Sequence, residues 1–103
     1  MNKASRTLAQ QKAELFALLS CTSRLRILEV IGTKKKITVQ DIAELLQMSH
    51  SAVSHQLGIL VAHDIVTYIK AGRYTSYSLA KTSQAKVAFK VIKVWYEKSG
   101  RKV

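Results

Sequence analysis

Hydrophobic residues recur along this chain at two spacings, and the two spacings divide it into helices and strands. Over residues 4–19, 24–31, 38–46, 49–63 and 83–98 they return every three to four positions, which predicts five amphipathic helices. Residues 65–69 and 73–79 are rich in β-branched and aromatic side chains, and the second run alternates, which predicts two strands. The pattern therefore predicts a mainly α protein with a small β-hairpin.

Capping residues mark several boundaries of these elements. Thr38 is placed to cap the third helix, and Asp41 three residues later completes a capping-box pattern. Ser49 is a good N-cap for the fourth helix. Gly32 stands where a left-handed C-cap would end the second helix. Ile37 is expected to form a very short strand just before the third helix.

Two helices joined by a tight turn and followed by a hairpin are typical of a winged helix-turn-helix domain. The hairpin turn is expected at residues 70–72, where a glycine supports the reversal. The complete order is α-α-(short β)-α-α-β-β-α, and 103 residues suit one such domain spanning residues 1–103. Helix pairs with this periodicity also occur in proteins that bind no DNA, so the pattern alone leaves the function open.

The fourth helix has one apolar side and one side of short polar residues. Val53, Leu57 and Leu60 fall on the side expected to be buried. Short donors and acceptors near a helix N-terminus suit base edges in a major groove. An ordinary solvent-exposed face is the alternative, although such faces usually carry longer charged residues. The polar side comprises Ser49, His50, Ser51, Ser54, His55 and Gln56.

Further contacts to DNA are predicted outside this helix. Lys70 and Arg73 lie at the tip of the hairpin, where a wing reaches phosphates or the minor groove. Gln40 is expected to contact phosphate from the third helix. A structural hairpin with a solvated tip is the alternative for the wing. Ser54, Gln56 and Arg73 are all expected on the protein surface.

The charge and the cysteine count narrow the class of partner and the compartment. The formal net charge of +11 favours nucleic acid as a partner and an anionic membrane surface as the second choice. One cysteine excludes an intrachain disulfide framework and fits a reducing compartment. No apolar run approaches the ~20 residues of a membrane span, and residues 1–12 lack the apolar region of a signal peptide. We expect a cytoplasmic protein with no membrane partner.

The first and last helices carry more apolar surface than a small core can cover. Leu8 and Leu15 belong to the stripe of the first, and Val91 and Trp95 to that of the last. These four residues are predicted to form a homodimer interface. The alternative is that both helices pack only within their own chain.

Three motifs resemble those of one family of regulators, in order and at similar spacing over about residues 15–80. Residues 51–57, SAVSHQL, are similar to the STVSHHL core of ArsR-type (ArsR/SmtB) repressors. Residues 24–28, RLRIL, resemble the start of that family's second helix, and Gly72, Arg73 and Tyr77 resemble its GR…Y wing. The resemblance implies a homodimer that binds pseudo-palindromic operators as a repressor and responds to a metal, a metalloid or thiol oxidation.

The chain departs from the family's metal-sensing members at both usual ligand positions. Residues 37–46 contain no cysteine or histidine, and the predicted last helix has Glu97 as its one carboxylate. His50 and His55 are five residues apart, which does not stack two imidazoles on one helix face as a spacing of four would. We predict no metal site and no cofactor, and the identity of any inducer stays open.

Three further residues stand out from the family pattern. Cys21 replaces an acidic residue usual in the family motif, and Thr22 replaces a proline. Two interpretations of Cys21 stay open, a thiol switch and the commoner inert cysteine. Gly58 inside the fourth helix costs about 1 kcal/mol relative to alanine, and it either admits a close backbone approach or is merely tolerated.

The leading hypothesis is a homodimeric transcriptional repressor that binds double-stranded DNA in a sequence-specific way and covers promoter DNA. A basic architectural protein that coats DNA with little sequence preference is the main alternative, favoured by the high charge. A winged helix used only for protein contacts is a third possibility, which the excess of basic residues argues against. No enzyme is expected, because the chain shows no paired carboxylates, nucleophile–base arrangement or phosphate-cradling glycine loop.

Overall fold

The structure, a computed structural model, describes residues 6–100. Within that range the chain forms five helices and three short strands in the order predicted, α-α-β-α-α-β-β-α. The elements are α1 (Leu8–Leu19), α2 (Thr22–Lys34), β1 (Ile37–Thr38), α3 (Val39–Leu46), α4 (His50–Ala62), β2 (Val66–Ala71), β3 (Tyr74–Leu79) and α5 (Ser83–Ser99).

The helix starts follow from side-chain caps close by in the sequence. The Thr38 side chain accepts a hydrogen bond from the backbone N–H of Asp41 at 3.2 Å, and Ser49 Oγ accepts one from the N–H of Ala52 at 3.1 Å. Both predicted caps are confirmed, but the capping box predicted for Thr38 and Asp41 is incomplete, because the Asp41 carboxylate accepts no bond from the Thr38 backbone N–H. Thr7 caps α1 through a capping box with Gln10, so this helix begins at Leu8, later than the predicted residue 4. The predicted start itself lies outside the described residues.

The second helix extends beyond the predicted residues 24–31 at both ends. The prediction that Gly32 forms a left-handed C-cap is wrong, because Gly32 lies inside the helix and Lys35 at φ 69° takes the capping position. The glycine is required by packing instead. A Cβ at Gly32 would overlap the ring of Phe89 on α5, so the absence of a side chain lets α5 approach α2.

The three strands form one antiparallel sheet in the order β1-β3-β2. The register pairs Ile37 with Tyr77 and Val66 with Leu79. The hairpin turn consists of Gly72 and Arg73, so the turn predicted at residues 70–72 lies too early, and Lys70 and Ala71 belong to β2. Gly72 has φ 62°, the positive value that two-residue hairpins place at a glycine.

The hydrophobic core lies between α2, α3, α4 and the base of the hairpin, with α1 and α5 closing one side. The predicted stripe of α4 is fully buried in it. Tyr77 and Leu79 from one face of β3 pack against the same cluster, as the alternation along this strand predicts. The fully buried large side chains are Ile27, Leu28, Ile31, Ile42, Val53, Leu57, Leu60 and Ile65.

Candidate nucleic-acid interface

The α4 helix is fixed with one face in the core and the opposite face in solvent. Val53, Leu57 and Leu60 have no exposed surface, so the rotation of the helix about its axis is set by packing. The polar residues of the first two turns then point outward. The exposed members of the predicted set on or just before α4 are Ser49, His50, Ser51, Ser54 and His55.

The turn before α4 is short and held at both ends. Gln47 takes a left-handed conformation with φ 54° as the C-cap of α3, and Ser49 already caps α4. The guanidinium of Arg26 donates a hydrogen bond to the carbonyl of Leu46, the last residue of α3, at 3.0 Å. Because helix C-terminal carbonyls lack partners within the helix, this bond from α2 satisfies a carbonyl at the end of α3.

Gln56 differs from the other predicted contact residues. It is only partly exposed, and its Oε1 accepts a hydrogen bond from Arg24 Nε at 2.9 Å. Gln56 is therefore less exposed than expected for a surface residue, because this bond holds its side chain against α2. Arg24 was not predicted as part of the site, because its partner lies 32 residues away in sequence and no local pattern joins the two.

The hairpin presents both predicted cations beside two exposed side chains that were not predicted as part of the site. Lys70 near the end of β2 and Arg73 in the turn are exposed. Ile69 and Tyr74 are also largely exposed, and they flank the same tip. In the middle of the hairpin the rings of Tyr68 and Tyr77 lie 5.8 Å apart, centroid to centroid, a distance typical of stabilising aromatic pairs across strands. The remaining predicted phosphate contact, Gln40, is exposed on α3.

Most of the residues predicted for a dimer interface are exposed on α1 and α5. Leu8 is 65% exposed, Val91 42% and Trp95 76%. Leu15 differs, because it is partly buried and packs against the core. Phe16 on α1 adds a further exposed aromatic ring to this face.

A groove of about 740 Å³ runs along the exposed apolar face between α1, α2 and α5. Apolar side chains dominate its walls, and Glu29 from α2 is its acidic side chain. Burial raises the pKa of the Glu29 carboxyl, and the nearby Arg26 guanidinium opposes that effect. The groove is lined by Phe16, Leu19, Ser20, Leu25, Glu29, Val91, Ile92, Trp95 and Ser99.

Cys21 occupies the N-cap position of α2, close to Arg24. The backbone N–H of Arg24 lowers the pKa of the Cys21 thiol most, and it outweighs the desolvation that acts in the opposite direction. The charge of the Arg24 guanidinium and the N–H of Ser23 lower the pKa further. The side chain is partly exposed and free of any disulfide.

Two other features bear on the class of protein. Among residues 6–100, no three His, Cys, Asp or Glu side chains are gathered so that they could hold a metal ion. Over the same residues, no helix is both long and apolar enough to cross a membrane.

A helix-turn-helix whose second helix turns a short polar face outward, followed by a two-stranded wing, defines a winged helix-turn-helix domain. A family model described as a helix-turn-helix domain matches residues 18–69. The structure superposes on the transcriptional repressor BigR from Xylella fastidiosa with a TM-score of 0.78, at 19% identity over 92% of each chain. This similarity supports the fold.

Sequence comparison identifies the family. The chain is 44% identical over 72 residues to a transcriptional repressor SmtB homolog from Synechocystis sp., covering 70% of this chain and 54% of that protein. It is 32% identical over 83 residues to a cadmium resistance regulatory protein CadC homolog from Staphylococcus aureus, covering 77% and 69%. The chain belongs to the ArsR/SmtB family of winged helix-turn-helix transcriptional regulators. It spans about half the length of the SmtB homolog.

Proposed function

We propose that this chain binds operator DNA in a sequence-specific way and acts as a homodimeric transcriptional repressor. The observation that carries the proposal is the exposed face of short polar side chains on α4, beside a wing with exposed Lys70 and Arg73. A net charge of +11 supplies the long-range attraction to a polyanion. Relatives named as transcriptional repressors support the regulatory role.

In this proposal α4 lies in the major groove. Ser51, Ser54 and His55 reach base edges, and the exposed backbone N–H groups at the start of the helix meet a phosphate. Gln40, Lys70 and Arg73 contact the backbone or the minor groove and set the position of the domain on the duplex. Repression follows from steric exclusion when the bound protein covers promoter DNA. In this mechanism the chain binds DNA without a metal or organic cofactor.

The homodimer is proposed to form through the exposed apolar face of α1 and α5. A helix-turn-helix dimer places two recognition helices in successive major grooves, so that a pseudo-palindromic site matches the two-fold symmetry of the protein. The groove between α1, α2 and α5 would then be covered by the second subunit. Large exposed aromatic residues such as Trp95 and Phe16 are of the type enriched at such interfaces.

Selection of duplexes from a random library tests the proposal. The expected result is one enriched, two-fold symmetric motif whose affinity exceeds that of a scrambled duplex by about 10³ or more. Affinity on both duplexes should fall steeply with salt, because the basic residues displace counterions. A transcription assay with the selected motif across or far upstream of a promoter then checks that repression requires overlap.

The high net charge favours one second candidate, an architectural protein that coats DNA with little sequence preference. The same selection separates the two functions. An architectural protein would enrich no motif and would bind scrambled duplexes as tightly as any selected one. A sequence-specific repressor would enrich one motif and would bind it more tightly than scrambled duplexes.

A further inference from the structure

The guanidinium of Arg24 joins the end of α1 to the α4 helix. Arg24 lies in the first turn of α2 and is partly buried. Its Nε donates to Gln56 Oε1 on α4 at 2.9 Å, and its Nη1 donates to the carbonyl oxygen of Leu18 at 2.8 Å. One planar group therefore connects α1 and α4 to α2, the helix that carries it.

The bond to Leu18 provides a hydrogen-bond donor for a backbone carbonyl at the C-terminus of α1. This carbonyl belongs to the last turn of the helix, where the four final C=O groups have no partner inside the helix. A cation placed there also interacts favourably with the helix dipole. The position of the guanidinium is thus tied to the C-terminus of α1, a helix that carries part of the proposed dimer face.

The bond to Gln56 fixes the orientation of an amide on the proposed recognition helix. Arginine carries hydrogen-bond donors only, so the atom of Gln56 that faces Arg24 must be the amide oxygen. The Nε2 group with its two hydrogens then points away from Arg24. An NH₂ group in that position complements the acceptors that base pairs present in the major groove, such as purine N7 and thymine O4.

We propose that Arg24 is a positioning residue for operator recognition. It holds Gln56 and the adjoining turn of α4 at a set position relative to the end of α1, without itself contacting DNA. This inference rests on the proposed function, because it assigns a role within sequence-specific DNA binding. It goes beyond that function by connecting the dimer helix α1 to the helix that reads the operator.

The arrangement requires an arginine at this position. The two acceptors are reached by different nitrogens of one rigid, planar fork. A lysine at residue 24 keeps the positive charge but places it on a single nitrogen at the end of a flexible stem. We therefore expect Arg24→Lys to preserve the charge of the domain and to lose the simultaneous contact with α1 and α4.

Arg26 provides a matched control on the same helix. Like Arg24, it donates to the carbonyl of a residue at the end of another helix, Leu46 of α3, at 3.0 Å. Unlike Arg24, it makes no hydrogen bond to a side chain of α4 among the residues that the structure describes. Arg26→Met therefore removes one positive charge and a comparable bond to a helix C-terminus. The hydrogen bond between Arg24 and Gln56 stays in place.

The experiment measures the affinity of each variant of the 103-residue chain for the selected operator and for a scrambled duplex, below the unfolding temperature of every variant. The variants are Arg24→Met, Arg24→Lys, Gln56→Met, the double variant Arg24→Met/Gln56→Met, and Arg26→Met. The ratio of the two affinities reports recognition, because a general loss of charge or stability lowers both affinities together.

We expect Arg24→Met and Arg24→Lys to lower this ratio about tenfold, which corresponds to about 1.4 kcal/mol. The double variant should be no worse than the worse single variant, because both changes break one connection. Arg26→Met should leave the ratio within about twofold of the wild-type value. If Arg24→Met fails to fold, Arg24→Lys provides the same comparison.

Two outcomes overturn the inference while the proposed function stands. One is that the wild-type protein prefers the operator clearly, but Arg26→Met lowers the ratio of the two affinities as much as Arg24→Met does. The other is full additivity of Arg24→Met and Gln56→Met. A wild-type protein without any preference among duplexes overturns the proposed function itself, and this inference with it.

Discussion

Gly32 of α2 lies directly against the aromatic ring of Phe89 of α5, so closely that no side chain fits between them. The contact joins the helix that forms the centre of the core to the last helix of the described chain. It explains why a glycine stands inside α2, where helix propensity alone favours alanine by about 1 kcal/mol.

Gly32→Ala is expected to lower the free energy of unfolding by about 1–3 kcal/mol, because the new methyl group overpacks the contact with Phe89. Denaturant unfolding followed by circular dichroism measures the change. A second variant that combines Gly32→Ala with Phe89→Leu should recover part of the loss. Equal or higher stability in Gly32→Ala alone would show that the ring of Phe89 moves aside freely.

Gly58→Ala is expected to have the opposite effect on stability. A Cβ at Gly58 meets no atom within 4 Å, so the substitution should raise the stability by about 1 kcal/mol through helix propensity alone. Its effect on DNA binding separates two explanations for this glycine. A loss of operator affinity in the stabilised variant would indicate that DNA approaches the backbone of α4, and unchanged affinity would indicate that the glycine is only tolerated.

Ser54→Ala and Arg73→Ala are expected to affect DNA binding in different ways. Ser54 is exposed on α4, so its loss should cost about 1–3 kcal/mol on the operator and much less on a scrambled duplex. Arg73 is exposed in the wing turn, so its loss should weaken both complexes and flatten the log–log salt slope by about one per subunit. Titrations at several salt concentrations give both quantities. Equal losses of Ser54→Ala on the two duplexes would contradict the assignment of α4 as the recognition helix.

Trp95→Ala is expected to weaken the proposed homodimer. The indole is 76% exposed in the single chain, so its removal should scarcely change folding while raising the dimer dissociation constant at least tenfold, about 1.4 kcal/mol or more. Sedimentation over a range of protein concentrations measures the constant. Tyr74→Ala is the control, because Tyr74 is similarly exposed but lies on the wing. A wild-type protein that sediments as a monomer at micromolar concentration would refute the dimer.

Cys21 is expected to react with iodoacetamide at lower pH than an unfolded cysteine does. The thiolate is the reactive form, and the N–H of Arg24 lowers the pKa of the thiol. A lowered pKa leaves a larger thiolate fraction at any given pH, so the rate should reach half its maximum at a lower pH in the folded protein than in the denatured protein. The denatured protein is the reference, and coincident pH profiles would contradict the expected shift. Arg24→Met should move the profile of the folded protein upward, because the guanidinium charge also favours the thiolate.

Local sequence determined most of the fold. The order of helices and strands, the caps at Thr38 and Ser49, and the burial of Val53, Leu57 and Leu60 were all predicted and are confirmed. Each depends on residues within a few positions of one another, or on a periodicity within one element. The exposure of the polar face of α4 follows directly, because one buried stripe fixes which side of a helix faces solvent.

The tertiary structure decided the features in which distant elements meet. The sequence predicted Gly32 as a C-cap. In the structure a glycine is needed there because the ring of Phe89, 57 positions later in the sequence, packs against it. The sequence predicted Gln56 as an exposed residue that contacts DNA bases. In the structure its side chain accepts a hydrogen bond from Arg24, which lies on another helix. Neither contact can be recognised from the residues near it in sequence, because both form only when separate helices pack together. Packing decides which of several suitable side chains come within bonding distance.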